Sequence, residues 1–425
     1  MERSLRAVLA GTFLLRFSTG LTGSMLAFYL VHLPEHGGPT VDAVVVGLYA
    51  ALFYLAELIL SPVFGVLSDR IGHHRVMLFG PVFGAVAVIL TALTTNLVLL
   101  GGTRMLEGAA GAASVPSILG FIAIATAGNE VLRGKTAARF EGVTLAGLAA
   151  GAIVGVKLFE LVGQPAFFIN AGLYGVAFLV YRFGVEDPAG ETDAVAGEHV
   201  GFSRYLQLIR TSHVWLLAPT WIALNAAIGV WLSQSFFQLA KGDPRFPDQA
   251  LMTGFTANQI IIGGIAVAVV FGAGLLYWGN RFKALRRTTI IGYGVGGGAV
   301  LVVAGLITNH LAMTFPIVAV VAGIAAGVGL FVLAGATPAA LGLLADMSER
   351  FPTDRGAIMG LYSVFLALGQ IIGSLIGGVA ADWLGIDGMF IATLILLGIA
   401  VVPLARLRTQ EHQLEQLPPV GATPA

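Results

Sequence analysis

Apolar residues of this chain fall in long continuous runs separated by short polar breaks. The hydrocarbon core of a bilayer requires about 20 apolar residues for each crossing helix, and windows of that length predict twelve spans, numbered 1 to 12. The predicted limits are 7–32, 42–67, 76–96, 98–125, 138–162, 166–184, 213–240, 256–278, 288–308, 313–345, 357–380 and 388–405. The runs do not alternate over about ten residues, which excludes a transmembrane β-barrel. The pattern predicts an all-α integral membrane protein.

Two of the runs have special features. The first is too long for the core of a signal peptide and lacks a small-residue cleavage pattern, so we expect an uncleaved span. The tenth is longer than one crossing requires, and Pro316 and Pro338 are expected to bend or shorten it.

The composition agrees with this prediction. Hydrophobic residues make up 57% of the 425 positions and charged residues only 11%, which is too little polar surface for a water-soluble globule. A formal net charge of zero offers no basic face to phosphates, so nucleic acid is not expected as a partner. Cysteine is absent, which removes disulfides, thiolate metal sites and cysteine nucleophiles. No metal or cofactor is expected.

The positions of the basic residues predict the orientation. Most of the 23 Lys and Arg residues fall in segments on the N-terminal side of the membrane, whereas Lys241 and Arg245 fall in an opposite loop. The positive-inside rule therefore places both termini in the cytoplasm. The longest interruption predicts an N-terminal six-helix bundle (1–184), a cytoplasmic linker (185–212) with an interfacial helix at 202–210, a C-terminal six-helix bundle (213–407) and a cytoplasmic tail (408–425).

The two predicted halves resemble each other in sequence. The pattern P-x-x-L-G-x-x-A occurs at 116–123 in span 4 and again at 338–345 in span 10. In spans 5 and 11 the sequence pairs Gly142, Gly151 and Gly155 with Gly360, Gly369 and Gly373, in that order. Such repeats predict two pseudo-symmetric bundles with a cavity at their interface, an arrangement that permits alternating access.

A glycine- and arginine-containing loop joins spans 2 and 3 as Gly-Val-Leu-Ser-Asp-Arg-Ile-Gly-His-His-Arg at 65–75. It resembles the cytoplasmic signature loop G-x-L-x-D-R-x-G-x-x-R of the major facilitator superfamily. The resemblance implies that the loop latches the cytoplasmic gate in the outward-facing state; the alternative is a basic loop without that role. In the second half Asn280 replaces the aspartate. The gate residues carried over are Gly65, Asp69, Arg70, Gly72 and Arg75.

Span 4 carries a second element of that family. Arg104 and Gly108 are similar to the element R-x-x-x-G-x-G, although the second glycine, Gly111, is one position late. In the family the arginine is associated with proton-coupled members. Glu107 follows Arg104 by three residues, which places both on one face of a helix.

Ionisable side chains inside a membrane are costly and mark functional sites unless they are paired or hydrated. Six candidates of this kind lie in the first half: Arg16, Glu57, Arg104, Glu107, Lys157 and Glu160. Arg16 and Glu57 are predicted at similar depth, so we expect them to interact and Glu57 to respond to protons, with Arg104 and Glu107 as a supporting pair. The alternative is a clamp between two helices with no coupling role.

Small residues form ridges in spans 5 and 11. Gly151, Gly155, Gly369 and Gly373 belong to segments that resemble the antiporter motif of the same superfamily, without its proline. These glycines are expected to pack near the cavity. Close helix packing without any antiport role is the alternative, so the direction of transport stays open.

Polar side chains of the second half are candidates for substrate contacts. An uncharged wall of amide and aromatic groups suits an amphipathic or lipophilic molecule, although such residues also hold helices together. The candidates are Asn225, Trp231, Gln234, Gln238 and Gln370.

The resemblance implies a secondary active transporter, and we expect proton-coupled export of a small lipophilic or drug-like molecule. A metabolite uniporter or proton symporter of the same fold is the first alternative. A membrane enzyme or receptor is more remote, because the sequence has no metal-spaced His/Asp cluster, no nucleophile with a base and no nucleotide-binding loop. We expect a multi-pass monomer in a bacterial or archaeal inner membrane, with lipid, substrate and protons as partners.

Overall fold

The computed structural model describes residues 2–127, 129–186, 214–281, 285–348 and 355–415, and these are helical or in turns, without strands. Eleven helices in these ranges are long and apolar enough to cross a membrane. Spans 1 to 9 are Glu2–Val31, Ala43–Ile71, His73–Leu93, Leu97–Ala125, Glu130–Val162, Ala166–Gly184, Val214–Lys241, Ala257–Gly279 and Arg287–Leu311. The predicted helical membrane architecture is confirmed.

A single bent helix accounts for the difference between eleven and twelve. The last helix, Arg355–Glu415, contains Gly385 with φ 63° and ψ −145°, a backbone conformation that interrupts a helix and suits only glycine. The segments on either side, 355–384 and 386–415, correspond to spans 11 and 12.

Spans 3 and 10 each consist of two consecutive helices. Span 3 divides into His73–Met77 and Phe79–Leu93, and span 10 into Pro316–Leu333 and Ala336–Ser348. The break in span 10 precedes Pro338, because a proline ring clashes with the carbonyl group four residues earlier, here that of Ala334. Pro316 begins the first helix of the span, where its missing N–H group costs nothing.

Side-chain caps define where several spans begin. The Asp42 carboxylate accepts a hydrogen bond from the Val45 backbone N–H at 2.8 Å before span 2. Asn96 accepts bonds from the Val98 and Leu99 N–H groups before span 4. Caps of this kind satisfy amide groups that have no partner within the helix.

The helices fall into two compact units. Unit 1 contains spans 1 to 6 and residues Phe255–Ile262, and unit 2 contains the remainder of spans 7 to 12. In unit 1, span 1 packs extensively against spans 5 and 6, and span 2 against span 4. In unit 2, span 7 packs against the helix that forms spans 11 and 12. The predicted bundle limits stay a prediction, and the linker at 187–212 lies outside the described residues.

Backbone geometry supports the internal repeat but changes its register. Gly163 after span 5 has φ 64° and ψ −144°, almost identical to Gly385 after span 11. A Cβ added to Gly151 would overlap the carbonyl oxygen of Phe17 in span 1, and one added to Gly373 would overlap that of Ala226 in span 7. Gly151 therefore corresponds to Gly373 rather than to Gly369, so the register predicted for spans 5 and 11 was wrong by four residues, about one helical turn.

A polar cluster ties together one end of unit 2. Asp243 accepts hydrogen bonds at 2.9 Å from the backbone N–H and Nε of Arg245, and this pairing lowers the pKa of the Asp243 carboxyl. His310 at the end of span 9 lies 2.6 Å from Asp387, just after Gly385, and 3.4 Å from Asp248. Through His310, the loop after span 7 is connected to the end of span 9 and to the start of span 12.

Candidate functional site

The signature loop is a tight turn between two helices. Span 2 ends at Ile71, and Gly72 adopts φ 101° while its N–H donates to the Ser68 carbonyl oxygen at 3.0 Å. The Ser68 hydroxyl donates to the Gly65 carbonyl oxygen at 2.7 Å. Only glycine adopts such a φ without strain, so the turn itself requires Gly72.

The two glycines of this loop offer a matched pair of substitutions. Gly72→Ala is expected to destabilise the turn by about 1–3 kcal/mol, because alanine is strained at this φ. Gly65→Ala is expected to be tolerated, since an added Cβ would lie 3.9 Å from its nearest neighbour, Pro116. Thermal unfolding in detergent measures both, and equal stability of the two variants would contradict this account of the turn.

Charged residues of the loop lie at the surface, whereas its two histidines anchor it. Asp69, Arg70 and Arg75 are exposed. The Asp69 carboxylate lies 3.8 Å from His73 Nε2. The buried His74 ring interacts through Nε2 with the Tyr181 carbonyl oxygen in span 6 at 2.9 Å. Neither histidine was predicted to have a role.

The glycine of the repeated P-x-x-L-G motif supports this loop. Gly120 faces the buried His73 ring so closely that an added Cβ would overlap it. Its counterpart Gly342 faces Arg287 at the start of span 9, where an added Cβ would lie 2.9 Å from Nε. Asn280, which replaces the aspartate of the loop, donates to the carbonyl oxygen of Leu276 in its own helix at 2.9 Å.

Span 4 carries a buried ion pair. The Arg104 guanidinium donates to Oε2 of Glu107, and the two side chains are only 11% and 2% exposed. Arg104 also lies over the Phe53 ring at 5.0 Å, a cation–π contact with span 2. The hydroxyl groups of Thr22 and Tyr174 lie near the Glu107 carboxylate. Both members of the pair predicted from their spacing are therefore brought together.

Glu57 and Arg16 form a looser arrangement. Both side chains are half-buried, and Arg16 is the charged group that acts on the Glu57 carboxylate. Within the described chain no ion pair of 4.0 Å or less joins them. Tyr54 lies in the same helix as Glu57 and near Arg16 and Arg104. We call the four predicted residues the charged cluster (Arg16, Glu57, Arg104, Glu107).

The predicted glycines make close helix contacts within each unit. A Cβ on Gly151 or Gly155 would overlap span 1; the one on Gly155 would lie 2.8 Å from the Leu21 carbonyl oxygen. A Cβ on Gly369 would lie 2.7 Å from the Ile222 carbonyl oxygen in span 7, and Gly373 is closer still to that helix. These contacts require glycine for packing and leave the antiport role a prediction.

The amide and aromatic candidates of unit 2 are engaged inside that unit. The Trp231 indole donates to the Thr393 hydroxyl at 2.9 Å, and its ring packs in a tilted arrangement 4.8 Å from the Phe390 ring. Asn225 donates to a carbonyl oxygen of its own helix at 2.8 Å. Gln234, Gln238 and Gln370 are at most 3% exposed. Their substrate role stays a prediction, and the contacts of Trp231 favour helix packing.

Several residues near the charged cluster were not identified from sequence. Thr22, Tyr54, Asn170 and Tyr174 are polar groups in or near its buried part. Tyr54 could have been identified from the sequence, because it precedes Glu57 by three residues and therefore lies on the same face of the helix. The others become significant only when spans 1 and 6 are brought together. Among the described residues, no group of three or more His, Cys, Asp or Glu side chains could hold a metal ion.

The fold and this cluster define a class: a polytopic helical membrane protein of two repeated units with ionisable groups inside one of them. The family model of the Major Facilitator Superfamily matches residues 8–332 and 253–425. The chain belongs to this superfamily and is a secondary transporter.

Characterised relatives and solved structures resemble the whole chain. Multidrug resistance protein 1 of Bacillus subtilis is 25% identical over 387 residues, covering 85% of this chain and 88% of the relative. The quinolone resistance protein NorA of Staphylococcus aureus is 22% identical and covers 90% and 91%. The crystal structure of the nucleoside transporter NupG is 14% identical with a TM-score of 0.68 and coverage of 98% and 100%. At 14% identity, the similarity to NupG is evidence for the fold of this chain and for nothing more.

Proposed function

We propose that this chain exports small lipophilic or drug-like molecules in exchange for protons. The observation that carries the proposal is the charged cluster inside unit 1, where Arg104 and Glu107 are paired and Glu57 is not. Relatives over most of the chain are named for multidrug and quinolone resistance, which supports this substrate class. The protein works by alternating access in a bacterial or archaeal inner membrane, as a monomer with both termini cytoplasmic.

Glu57 is the principal proton-responsive group of this proposal. Burial disfavours a charged carboxylate, whereas the nearby Arg16 favours it. Glu57 forms no ion pair with Arg16, so small changes in hydration or in the position of Arg16 shift the equilibrium between the charged and neutral forms of the Glu57 carboxyl group. The Glu107 carboxylate already pairs with Arg104, so it has a supporting role.

Transport into inverted membrane vesicles tests the proposal. Respiration acidifies the lumen of such vesicles, which corresponds to the outside of the cell. A proton antiporter should accumulate a quinolone or a lipophilic cationic dye in that lumen only while the pH gradient persists. A gradient of one pH unit corresponds to about a tenfold concentration ratio for exchange of one proton.

The alternatives give different results in the same vesicles. A uniporter would equilibrate the probe with no response to the gradient, and a proton symporter would expel it from an acidic lumen. Vesicles without the protein correct for passive partitioning. Either of those two results would replace the export proposal with the metabolite transporter alternative.

The signature loop is proposed to latch the cytoplasmic gate. Asp69→Asn should preserve insertion and expression but sharply reduce transport, by destabilising the outward-facing state. Asn280→Ala should have little effect, because the described hydrogen bond of the Asn280 side chain goes to the nearby carbonyl oxygen of Leu276. Thiol labelling of single-cysteine reporters on the two sides of the membrane measures the shift in accessibility.

The native chain contains no cysteine, so each reporter gives a clean signal. Asn280→Ala, at the position of the second half that corresponds to Asp69, is the control. If the Asp69→Asn labelling pattern equalled that of the parent reporter on both sides, the latch role would be refuted.

A further inference from the structure

The glycine of span 4 that departs from the family spacing, Gly111, lies against the carboxyl group of Glu57 in span 2. A Cβ added to Gly111 would lie 3.0 Å from Oε1, 3.2 Å from Cδ and 3.7 Å from Cγ of Glu57. Apart from atoms of its own helix, these three are the nearest neighbours of that position, and all belong to one side chain. Gly111 is buried, so the contact lies inside unit 1. Its missing side chain leaves the space that the Glu57 carboxyl group occupies.

The late position of Gly111 places it on the face of span 4 that contacts span 2. With about 3.6 residues per turn, positions 104, 108 and 111 form one stripe along a helix, whereas position 110 lies about 120° from position 104. Along this stripe Arg104 lies over the Phe53 ring, and a Cβ on Gly108 would overlap the Phe53 carbonyl oxygen. The family spacing would move the second glycine off this stripe.

Position 110, where the family element has its second glycine, faces a different helix. A Cβ added to Gly80 of span 3 would lie 2.9 Å from the carbonyl oxygen of Ala110. A glycine of span 3 therefore provides the close approach of spans 3 and 4 at this level. The glycine at 111 is not needed for that approach, and the group that it accommodates is the carboxyl group of Glu57.

The two glycines of the stripe have neighbours of different kinds. Gly108 meets a backbone oxygen, which moves only if spans 2 and 4 separate. Gly111 meets the end of a side chain, which can rotate about its single bonds. A methyl group added at 111 should therefore move the Glu57 carboxyl group rather than a whole helix.

We propose that Gly111 is a positioning residue for Glu57, because its missing side chain lets the Glu57 carboxyl group lie between spans 2 and 4. This inference rests on the proposed proton coupling through Glu57. A methyl group at 111 would displace the carboxyl group and exclude water from beside it. Both changes would alter the equilibrium between the charged and neutral forms of Glu57.

Other charged and titratable groups surround Glu57 on its own helix and on spans 1, 4 and 5. Among the described residues these are Arg16, Tyr54, Arg104, Glu107 and Glu141. Arg16 is the cation that acts on Glu57, and Glu141 of span 5 also lies near Arg16. Gly111→Ala keeps all of these groups and adds one uncharged methyl group. It therefore isolates the effect of the space beside Glu57.

Infrared difference spectroscopy of the full-length protein in lipid measures the protonation of Glu57. A pH change should produce a carboxyl C=O stretching band that is absent from Glu57→Gln, which assigns the band to Glu57. In Gly111→Ala the midpoint of this band should move toward alkaline pH by about one unit, because removal of water from a carboxylate favours the neutral form. The pH of half-maximal transport into vesicles should move with it.

Two variants of the same helix are the controls. Gly102→Ala adds a methyl group that would meet no atom within 4 Å, so the midpoint should stay at the wild-type value. The double variant Ala110→Gly/Gly111→Ala restores the family spacing and the number of glycines but fills the space beside Glu57. Its midpoint should move as in Gly111→Ala. A wild-type midpoint in this double variant would refute the positioning role.

A shorter carboxylate tests the contact through stability. Glu57→Asp withdraws the carboxyl group from position 111 by one methylene group. Combined with Gly111→Ala, it should lower the thermal stability by less than the sum of the two single substitutions, because the methyl group enters the vacated space. Additive losses would refute the contact. If Gly111→Ala alone does not fold, a folded Gly111→Ala/Glu57→Asp supports the contact and an unfolded one refutes it.

The failure of this inference differs from the failure of the proposed function. Wild-type transport that ignores pH would refute proton coupling, whereas the infrared midpoint of Glu57 would still test the role of Gly111. A midpoint in Gly111→Ala that equals the wild-type value, or lies at more acidic pH, would refute the positioning role and leave the export proposal in place.

Discussion

Leucine at Gly151 or at Gly373 is expected to abolish folded, transport-competent protein. A Cβ at either position would overlap a backbone carbonyl oxygen of the neighbouring helix, Phe17 in span 1 or Ala226 in span 7. Backbone atoms cannot give way as a flexible side chain can, so spans 1 and 5, or 7 and 11, must separate. Fluorescence-detected size exclusion and vesicle transport measure the loss.

A third glycine provides the control for this prediction. Gly142 lies in the same helix as Gly151, but an added Cβ would meet no atom within 4 Å. Gly142→Ala is expected to be neutral or stabilising by about 0.5–1 kcal/mol, whereas Gly151→Ala should destabilise by about 1–3 kcal/mol. If Gly151→Leu and Gly373→Leu both transported at the wild-type rate, the close packing of span 5 on span 1 and of span 11 on span 7 would be refuted.

Substitution of Glu57 by glutamine is expected to abolish accumulation driven by a pH gradient. Glutamine resembles the protonated carboxyl group, so substrate binding and exchange should persist while the proton site is lost. The accumulation ratio should fall from about ten to about one under a gradient of one pH unit. Arg16→Ala should be more damaging, because it leaves the Glu57 carboxylate without its nearby cation.

Glu160→Gln is the matched control for this substitution. Glu160 lies in a span of the same unit and pairs with Lys157, but its side chain is 39% exposed. Its substitution should leave accumulation unchanged. Undiminished accumulation by Glu57→Gln would assign proton coupling to Glu107 instead. If Glu107→Gln also accumulated the probe, the charged cluster would have no role in proton coupling.

The architecture was predictable because the membrane imposes it. Continuous apolar runs fixed the number and approximate limits of the spans, and the loop at 65–75 indicated the family. Pro338 also indicated the interruption of span 10, which falls at Ala334 and Gly335. The sequence did not indicate that one residue, Gly385, makes the turn between spans 11 and 12, because that turn depends on a backbone conformation of glycine.

The site was partly predictable. Spacing of three residues on one helix indicated the pair of Arg104 and Glu107, which forms. Their similar predicted depth suggested that Arg16 and Glu57 interact. In the structure Arg16 lies near Glu57, but the two do not form a close ion pair. Asn170 could not be identified from the sequence, because its hydrogen bonds are made to a helix about 150 positions away in sequence.

Proton movement in proteoliposomes tests the central claim most directly. A pH-sensitive dye is trapped inside liposomes that contain the protein, and a quinolone is added outside with no imposed pH gradient. Substrate entry in exchange for protons should make the lumen alkaline with the wild type and leave it unchanged with Glu57→Gln. Substrate entry through the wild type with an unchanged or acidified lumen would contradict proton-coupled export.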